Sequence, residues 1–310
     1  MNQAPIMTVT LNPAVDVSCS VERMEPERKL RTDQPRYDPG GGGLNVARAV
    51  RLLGGDARAI WAMGGYTGGL LKDLLDGTGV RHHPVRISGQ TRQSWTVIER
   101  PTSRQYRFSA PGPPMSQQES EAFLEELRRI QPAAGYVVAS GALPPEVDEG
   151  FYARLAELAV SRGARFVLDT AGPSLQRALD ARNVYLVKPN FGELTDLLGR
   201  ELLGDADLEA AARAIVDEGR SQIVVVSLGA RGALVATAEG HFWIAAPTVP
   251  IQSRVGAGDS MVAGMVLALA RGLPVAEAAR FGVAAGTAAA MTPGTALCRK
   301  EDADRLFAGM

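Results

Sequence analysis

Short runs of unbroken apolar residues alternate with longer stretches of helical periodicity along most of the chain. The runs Met7–Leu11, Ala59–Ala62, Tyr136–Ser140, Arg165–Asp169, Tyr185–Val187 and Ile223–Ser227 predict strands. Val224-Val225-Val226 shows no polar alternation, the pattern of a parallel strand covered on both faces. Leu44–Leu53, Gly69–Leu75, Gln117–Ile130, Glu149–Ser161, Phe191–Leu198, Leu208–Glu218, Asp259–Ala270 and Val275–Met291 predict helices. Such alternation predicts a doubly wound α/β fold with a mostly parallel sheet and right-handed crossovers.

Two regions break the rhythm. Val15–Arg36 and Gln93–Phe108 read as strands with no helix between them, and Arg100-Pro101-Thr102-Ser103 forms a turn inside the second. They predict a small β-sheet lid built from about residues 15–38 and 92–110, on one domain spanning residues 1–310. A lid with an apolar face must cover a ligand, a partner subunit, or both.

Composition narrows the function classes. With 310 residues, 45% hydrophobic and 22% charged, the chain can bury a large core. Its 33 basic and 34 acidic residues leave a net charge of −1, so there is no broad basic field for nucleic acid or a membrane surface. Cys19 and Cys298 stand far apart and the chain has three histidines, a pattern that suits a reducing cytoplasm and argues against a zinc site. MNQAPIMTVTLNP lacks the charged and apolar regions of a signal peptide, and no stretch of about 18 apolar residues predicts a membrane span.

The chemistry concentrates in a few motifs. Val255-Gly256-Ala257-Gly258-Asp259-Ser260 leads directly into an apolar helix. Small residues there leave backbone N–H groups bare, which suits phosphate, and Asp259 sets a carboxylate beside them. A phosphate cradle next to a base is what phosphoryl transfer to a hydroxyl requires; the plainer reading is a glycine turn with Asp259 capping the helix. Gly40-Gly41-Gly42-Gly43-Leu44-Asn45 opens another helix and reads as a floor for a polyhydroxylated ligand, with Asp16 placed after the first strand to accept sugar hydroxyls. Lys29, Arg31, Arg92 and Arg107 fall in or beside the lid and suggest a clamp for a sugar phosphate. Lys188-Pro189-Asn190-Phe191-Gly192-Glu193 lies at a strand-to-helix junction. Asn190 and Glu193 have capping-box spacing, or Glu193 organises Mg²⁺ through water near a nucleotide while Lys188 faces the transferred phosphoryl. The turn Ser227-Leu228-Gly229 ends a buried strand, where a nucleotide can be touched. A Rossmann dehydrogenase is disfavoured, because Leu11-Asn12-Pro13-Ala14 replaces its glycine fingerprint.

Together the two glycine motifs and the Asn-x-x-Glu between them resemble the ribokinase-like carbohydrate kinases, the PfkB family, from about Thr8 to Cys298. Within it, TLNPAVD, PGGGGLNVARA, QYRF, LVKPN and VGAGDSMVAG are most similar to the minor-type bacterial 6-phosphofructokinases. The resemblance implies ATP-dependent phosphorylation of fructose 6-phosphate at C1, with tagatose 6-phosphate or fructose 1-phosphate kinases as sister specificities and a non-catalytic sugar-phosphate sensor as the other class. It implies Asp259 as base and Gly256, Ala257 and Gly258 as donors to the transferred phosphoryl. Asp16, Gly41, Gly42 and Asn45 would hold sugar hydroxyls, and Lys29, Arg31, Arg92, Arg107 and Ser140 would surround the 6-phosphate. Lys188, Asn190, Ser227 and Gly229 would face ATP, with Glu193 toward Mg²⁺, and the lid implies a homodimer. Two departures stand out. Ala142 replaces a serine common in the subgroup, and Thr292-Pro293-Gly294-Thr295-Ala296 lacks the Asn and Arg usual around a monovalent-cation loop, which puts potassium activation in question.

Overall fold

The computed structural model describes residues 3–131 and 133–310. The reading of the N-terminus as leaderless therefore falls partly on Met1 and Asn2, outside the described residues. The elements run β1 (Ile6–Thr10), β2 (Ala14–Val21), β3 (Arg36–Gly40), α1 (Gly42–Leu52), β4 (Ala57–Met63), α2 (Gly65–Asp76), β5 (Arg81–Arg86), β6 (Arg92–Glu99), β7 (Arg104–Ser109) and α3 (Gln117–Arg129). They continue β8 (Tyr136–Ser140), α4 (Phe151–Ser161), β9 (Arg165–Asp169), α5 (Gly172–Asp180), β10 (Val184–Val187), α6 (Phe191–Leu198), α7 (Asp205–Asp217) and β11 (Ser221–Ser227). The chain ends with β12 (Ala233–Thr237), β13 (Gly240–Ile244), α8 (Ala257–Ala270), α9 (Val275–Ala290) and α10 (Lys300–Ala308).

Nine strands form the main sheet in the order β13-β12-β11-β10-β9-β8-β1-β4-β5. Strands β4, β5 and β8 to β11 pair in parallel with their neighbours around β1, while β12 and β13 join antiparallel at one edge. Successive side chains enter opposite cores, as period two requires. Tyr136, Val138, Val167, Ile223 and Val225 meet α1, α8, α9 and α10, while Val137, Ala139, Phe166, Leu168, Val224 and Val226 meet α3, α4, α5 and α7. Both faces being covered explains why these strands read as unbroken apolar runs.

The chain builds outward from β1 to β4 and β5, then crosses to β8 and proceeds the other way. The crevice at such a reversal, beyond the carboxyl ends of the strands, is where open α/β sheets bind ligands. Helix α8 points its N-terminus toward that end and is apolar all round, with Ser260 through Ala270 all buried. It packs tightly on α9 because two positions lack side chains. A Cβ on Gly264 would stand 2.9 Å from Ala285 Cβ, and one on Gly282 only 2.3 Å from Met265 Cγ.

Some elements escape the hydrophobic pattern. β5 is the edge strand Arg-His-His-Pro-Val-Arg, tolerant of Pro84 because an edge needs fewer N–H donors. The hairpin β12–β13, the Gly-Pro-led α5 and the charged α10 also gave no clear periodic signal. Val15–Arg36 is not strand throughout: β2 stops at Val21 and β3 begins at Arg36, with an irregular connection that contains Pro26 and Pro35. The second sheet, ordered β3-β2-β6-β7, is built from the two stretches expected to form a lid, and it is called the lid below. Among the described residues, no helix is long and apolar enough to cross a membrane.

Candidate active site

Near the reversal point the ends of β8, β9 and β10 meet the starts of α1, α6 and α8. Gly256 caps α8 in the left-handed region (φ 76°), and a Cβ there would also fall 2.8 Å from Leu297 Cδ2. No side chain caps this helix among the described residues, so the N–H groups of Ala257 and Gly258 keep no side-chain partner. Asp259 sits in the first turn, half-buried, and its Oδ2 accepts from Asn45 Nδ2 at 2.9 Å. It does not fold back as a cap. Burial, reinforced by the Asp169 carboxylate, lifts its pKa from 3.8 to about 6, while Asn45 and Lys188 pull the other way.

The tetraglycine is shaped by packing as well as by any ligand. A Cβ on Gly42 would overlap Ser140 Oγ at 2.2 Å, and one on Gly43 would meet Val9 O at 2.4 Å. Gly41 adopts φ 113° at the cap of α1. Helix α1 thus lies directly on β1 and β8, carrying Asn45 to Asp259. One turn on, Arg48 Nη1 donates to Asn45 Oδ1 at 3.1 Å and to Pro39 O at 2.6 Å.

Beneath α8 lies a buried ion pair absent from the sequence reading in its acidic half. Lys188 Nζ stands 3.1 Å from Asp169 Oδ1, with side chains 5% and 14% exposed. A Cβ on Gly258 would be 3.7 Å from the same ammonium. Burial opposes that charge, yet Asp169, with Glu193 and Asp259 beyond it, holds the lysine above its ordinary pKa. Ser140 Oγ lies 3.5 Å from both Asp169 Oδ2 and Asp259 Oδ1, long contacts that its one hydrogen serves in turn. Asp169 was legible only as the last residue of a strand, a position where ligand-facing groups occur.

Asn190 and Glu193 do form a capping box: Glu193 N donates to Asn190 Oδ1 at 2.9 Å and Asn190 N to Glu193 Oε2 at 2.8 Å. Burial raises the Glu193 pKa, partly offset by the Asn190 N–H. Asn190 bridges to Ser227, and Gly229 opens a helical turn with φ 59°. Asn190, Phe191, Ser227, Leu228 and Arg231 line a recess of about 370 Å³.

On the lid, β2 places Asp16 opposite Asp38 and Ser94, and Thr96 opposite Arg107, so Asp16 and Arg107 share one face. Burial lifts the Asp16 pKa to about 6 against the pull of Arg92 and Arg48, with Asp38 pushing it up and Arg107 down. Arg92 is already engaged. Its Nη1 donates to Ser94 Oγ, Ser109 Oγ and Ala110 O, its Nη2 to Asn12 O, and only a buried Nε lacks a partner. Arg107 is exposed and makes no ion pair among the described residues. Lys29 and Arg31 lie exposed on the β2–β3 connection, and neither is among the charges acting most strongly on Asp16. Within one chain, then, Arg92 and Arg107 gather at Asp16 while Lys29 and Arg31 do not. A recess of about 890 Å³ runs along the lid past Arg92, Trp95 and Phe108; its lining excludes Asp16 and Asp259.

The pfkB family carbohydrate kinase model matches residues 8–302. An ATP-dependent 6-phosphofructokinase isozyme 2 of Mycobacterium tuberculosis is 44% identical over 302 residues, covering 97% of this chain and 88% of that protein. Its namesake in Escherichia coli is 42% identical over 303 residues, covering 98% of each. The solved E. coli phosphofructokinase-2 in complex with potassium superposes with a TM-score of 0.95 at 42% identity, over 99% of both chains. Its complex with fructose-6-phosphate superposes with a TM-score of 0.93 at 40% identity, also over 99% of both. A 1-phosphofructokinase of Xanthomonas campestris is 36% identical over 266 residues, 85% of this chain and 83% of that protein.

Proposed function

The chain belongs to the pfkB family of carbohydrate kinases, and on that premise we propose that it transfers the terminal phosphoryl of ATP to the C1 hydroxyl of fructose 6-phosphate. The observation that carries this reading is Asp259, a half-buried carboxylate at the uncapped start of a buried helix. A neutral alcohol is a weak nucleophile, and a positioned carboxylate that takes its proton contributes roughly 10²–10⁴-fold. The bare N–H groups of Gly256, Ala257 and Gly258 meet the developing phosphoryl charge at the helix's positive end. Lys188 supplies a fixed cation on the same side. Asp16, Asn45 and the Gly41–Gly42 backbone receive the sugar, while Arg92, Arg107 and Ser140 face its 6-phosphate.

ATP lies along Asn190, Ser227 and Gly229, by the recess at those strand ends. Glu193 suits Mg²⁺ held through water, because one of its oxygens is committed to the capping box and burial, with the Asp169 and Asp196 carboxylates nearby, keeps its charge unfavourable. That ion would neutralise phosphate charge when bound. A monovalent cation near Thr292–Ala296 would rest on backbone oxygens alone, two of which, on Gly294 and Ala296, already accept from Ser253 and Thr292 hydroxyls.

The lid's other face supports a homodimer. Register places Tyr37, Trp95 and Phe108 together, and they are 43%, 38% and 54% exposed. Trp95→Asp is expected to leave a monomer in sedimentation velocity where the wild type sediments as a dimer; a monomeric wild type at micromolar concentration removes lid pairing. The chain reads as one kinase domain with this lid. The two buried unpaired thiols, Cys19 and Cys298, fit a cytoplasmic setting.

The test is an ADP-release assay across fructose 6-phosphate, tagatose 6-phosphate, fructose 1-phosphate and ribose. The expected order of kcat/KM puts fructose 6-phosphate first, and a preference for fructose 1-phosphate would move the chain to the sister specificity. The two arginines separate grip from scaffolding. Arg107→Ala is expected to raise KM for fructose 6-phosphate roughly 10–100-fold with Tm unchanged, the loss of one charge-assisted contact. Arg92→Ala is expected to raise KM similarly and also lower Tm, because Arg92 ties Asn12 to β6 and the end of β7. Unchanged KM in the Arg107 variant would take that residue out of the clamp.

A further inference from the structure

We propose that Arg48 is a positioning residue of this site: its guanidinium fixes the Asn45 amide toward the base Asp259 and supplies positive charge to the acids around it. This rests on the reading of Asp259 as the base. Arg48 follows Asn45 by three positions on α1, so both point the same way. A side-chain amide has nearly the same shape when its oxygen and nitrogen are exchanged. Arg48 removes the ambiguity, because an arginine only donates. With its Nη1 on Asn45 Oδ1 (3.1 Å), the Asn45 Nδ2 must face Asp259 Oδ2 (2.9 Å). The second bond from the same nitrogen, to Pro39 O at 2.6 Å, anchors the guanidinium to the base of the lid. Burial opposes the Arg48 charge, while Asp38, Asp16 and, more weakly, Asp259 sustain it. Asp38 has other partners, since Arg36 pairs with it and Thr295 Oγ1 donates to it at 3.0 Å. Asp16 makes no hydrogen bond to another side chain among the described residues, so it depends on the nearby charges of Arg92, Arg48 and, more weakly, Arg107.

The groups facing these acids come from every neighbouring element. Asp259 meets Asn45 from α1, Ser140 from β8, Asp169 from β9 and Lys188 after β10. Asp16 meets Arg92 and Arg107 from β6 and β7, Arg48 from α1 and Asp38 from β3. Removing the Arg48 charge leaves two acids that the reaction needs ionised with one cation fewer.

Arg48→Gln keeps an N–H donor but no charge, and Arg48→Lys keeps the charge but not the planar fork. The acid limb of kcat/KM for fructose 6-phosphate is expected to move up by about one pH unit in the glutamine variant and to stay near wild type in the lysine variant. In the lysine variant kcat is expected to fall at least about fivefold, because Nζ ends one bond short of the place where Nη1 donates to both Asn45 and Pro39. Rates are taken per folded site, with Tm recorded alongside. A limb unmoved in Arg48→Gln overturns the proposal whatever its Tm. Should that variant not fold, a wild-type kcat in Arg48→Lys overturns it instead. A wild-type chain inactive on fructose 6-phosphate, or an active Asp259→Asn, would sink the reading of the base rather than the role of Arg48.

Discussion

Asp259→Asn is expected to lower kcat on fructose 6-phosphate by about 10³-fold or more, leave sugar binding within a few-fold, and raise thermal stability at pH 7.5. The first effect follows from losing the proton acceptor. The second follows because asparagine is the same size and can still present Oδ1 to Asn45 Nδ2. The third follows from the direction of its pKa. The native carboxyl holds its proton up to about pH 6, whereas the unfolded one releases it near 3.8. Between those values the native state binds more protons than the unfolded state, so stability falls as pH rises through that window. Above it the full cost of a desolvated carboxylate is present, of order 1–3 kcal/mol. Asparagine carries no such cost. A variant that is inactive yet more stable would mark a residue kept for chemistry. A variant with kcat within tenfold of wild type removes Asp259 as base. The wild-type kcat/KM should accordingly climb as pH rises through about 6, where both Asp259 and Asp16 ionise.

How much of this was legible depends on whether a residue's role is local. Val255-Gly256-Ala257-Gly258-Asp259-Ser260 announces itself because an uncapped, bare helix start is a property of six consecutive residues. The small second sheet was legible because helices are absent from two stretches of strand-like sequence. The capping box at Asn190 was written in its own spacing, three residues to Glu193. Asp169 and Arg48 were not legible. Each is one charged letter on an ordinary strand or helix, and its meaning comes from neighbours 29 or 214 positions from one another, such as Ser140 with Asp169 or Asn45 with Asp259. The lid cations show the converse. Their places in sequence group Lys29, Arg31, Arg92 and Arg107 as one clamp; Lys29 and Arg31 lie exposed on the irregular β2–β3 connection, and Arg92 and Arg107 stand on β6 and β7. Arg92 also ties Asn12 to the lid strands, a second role that its sequence position does not announce. The glycines also changed meaning: Gly42 and Gly43 are excluded from having side chains by Ser140 and Val9, so packing of α1 on the sheet explains them before any ligand does.

The ion pair beneath α8 yields the other large effect. Lys188→Met is expected to cut kcat by about 10²-fold or more and to lower Tm by roughly 5–10 °C. Lys188 is the cation that Asp169, Glu193 and Asp259 share. Deleting one partner of a buried pair leaves the other charge uncompensated, at about 3–5 kcal/mol, and in a chain of this length each kcal/mol moves Tm by roughly 2 °C. Stability loss alone could mimic a catalytic defect, so the paired variant Lys188→Met with Asp169→Leu separates them. Removing both charges lets an apolar pair fill the space, which is often neutral for stability. Tm is therefore expected to recover toward wild type while turnover stays depressed, since neither the fixed cation under the helix start nor the carboxylate beside Ser140 returns. If turnover recovered together with Tm, Lys188 and Asp169 would be scaffolding and the phosphoryl charge would rest on the α8 amides alone. A Lys188→Met chain with nearly full activity would remove the ammonium from the reaction altogether.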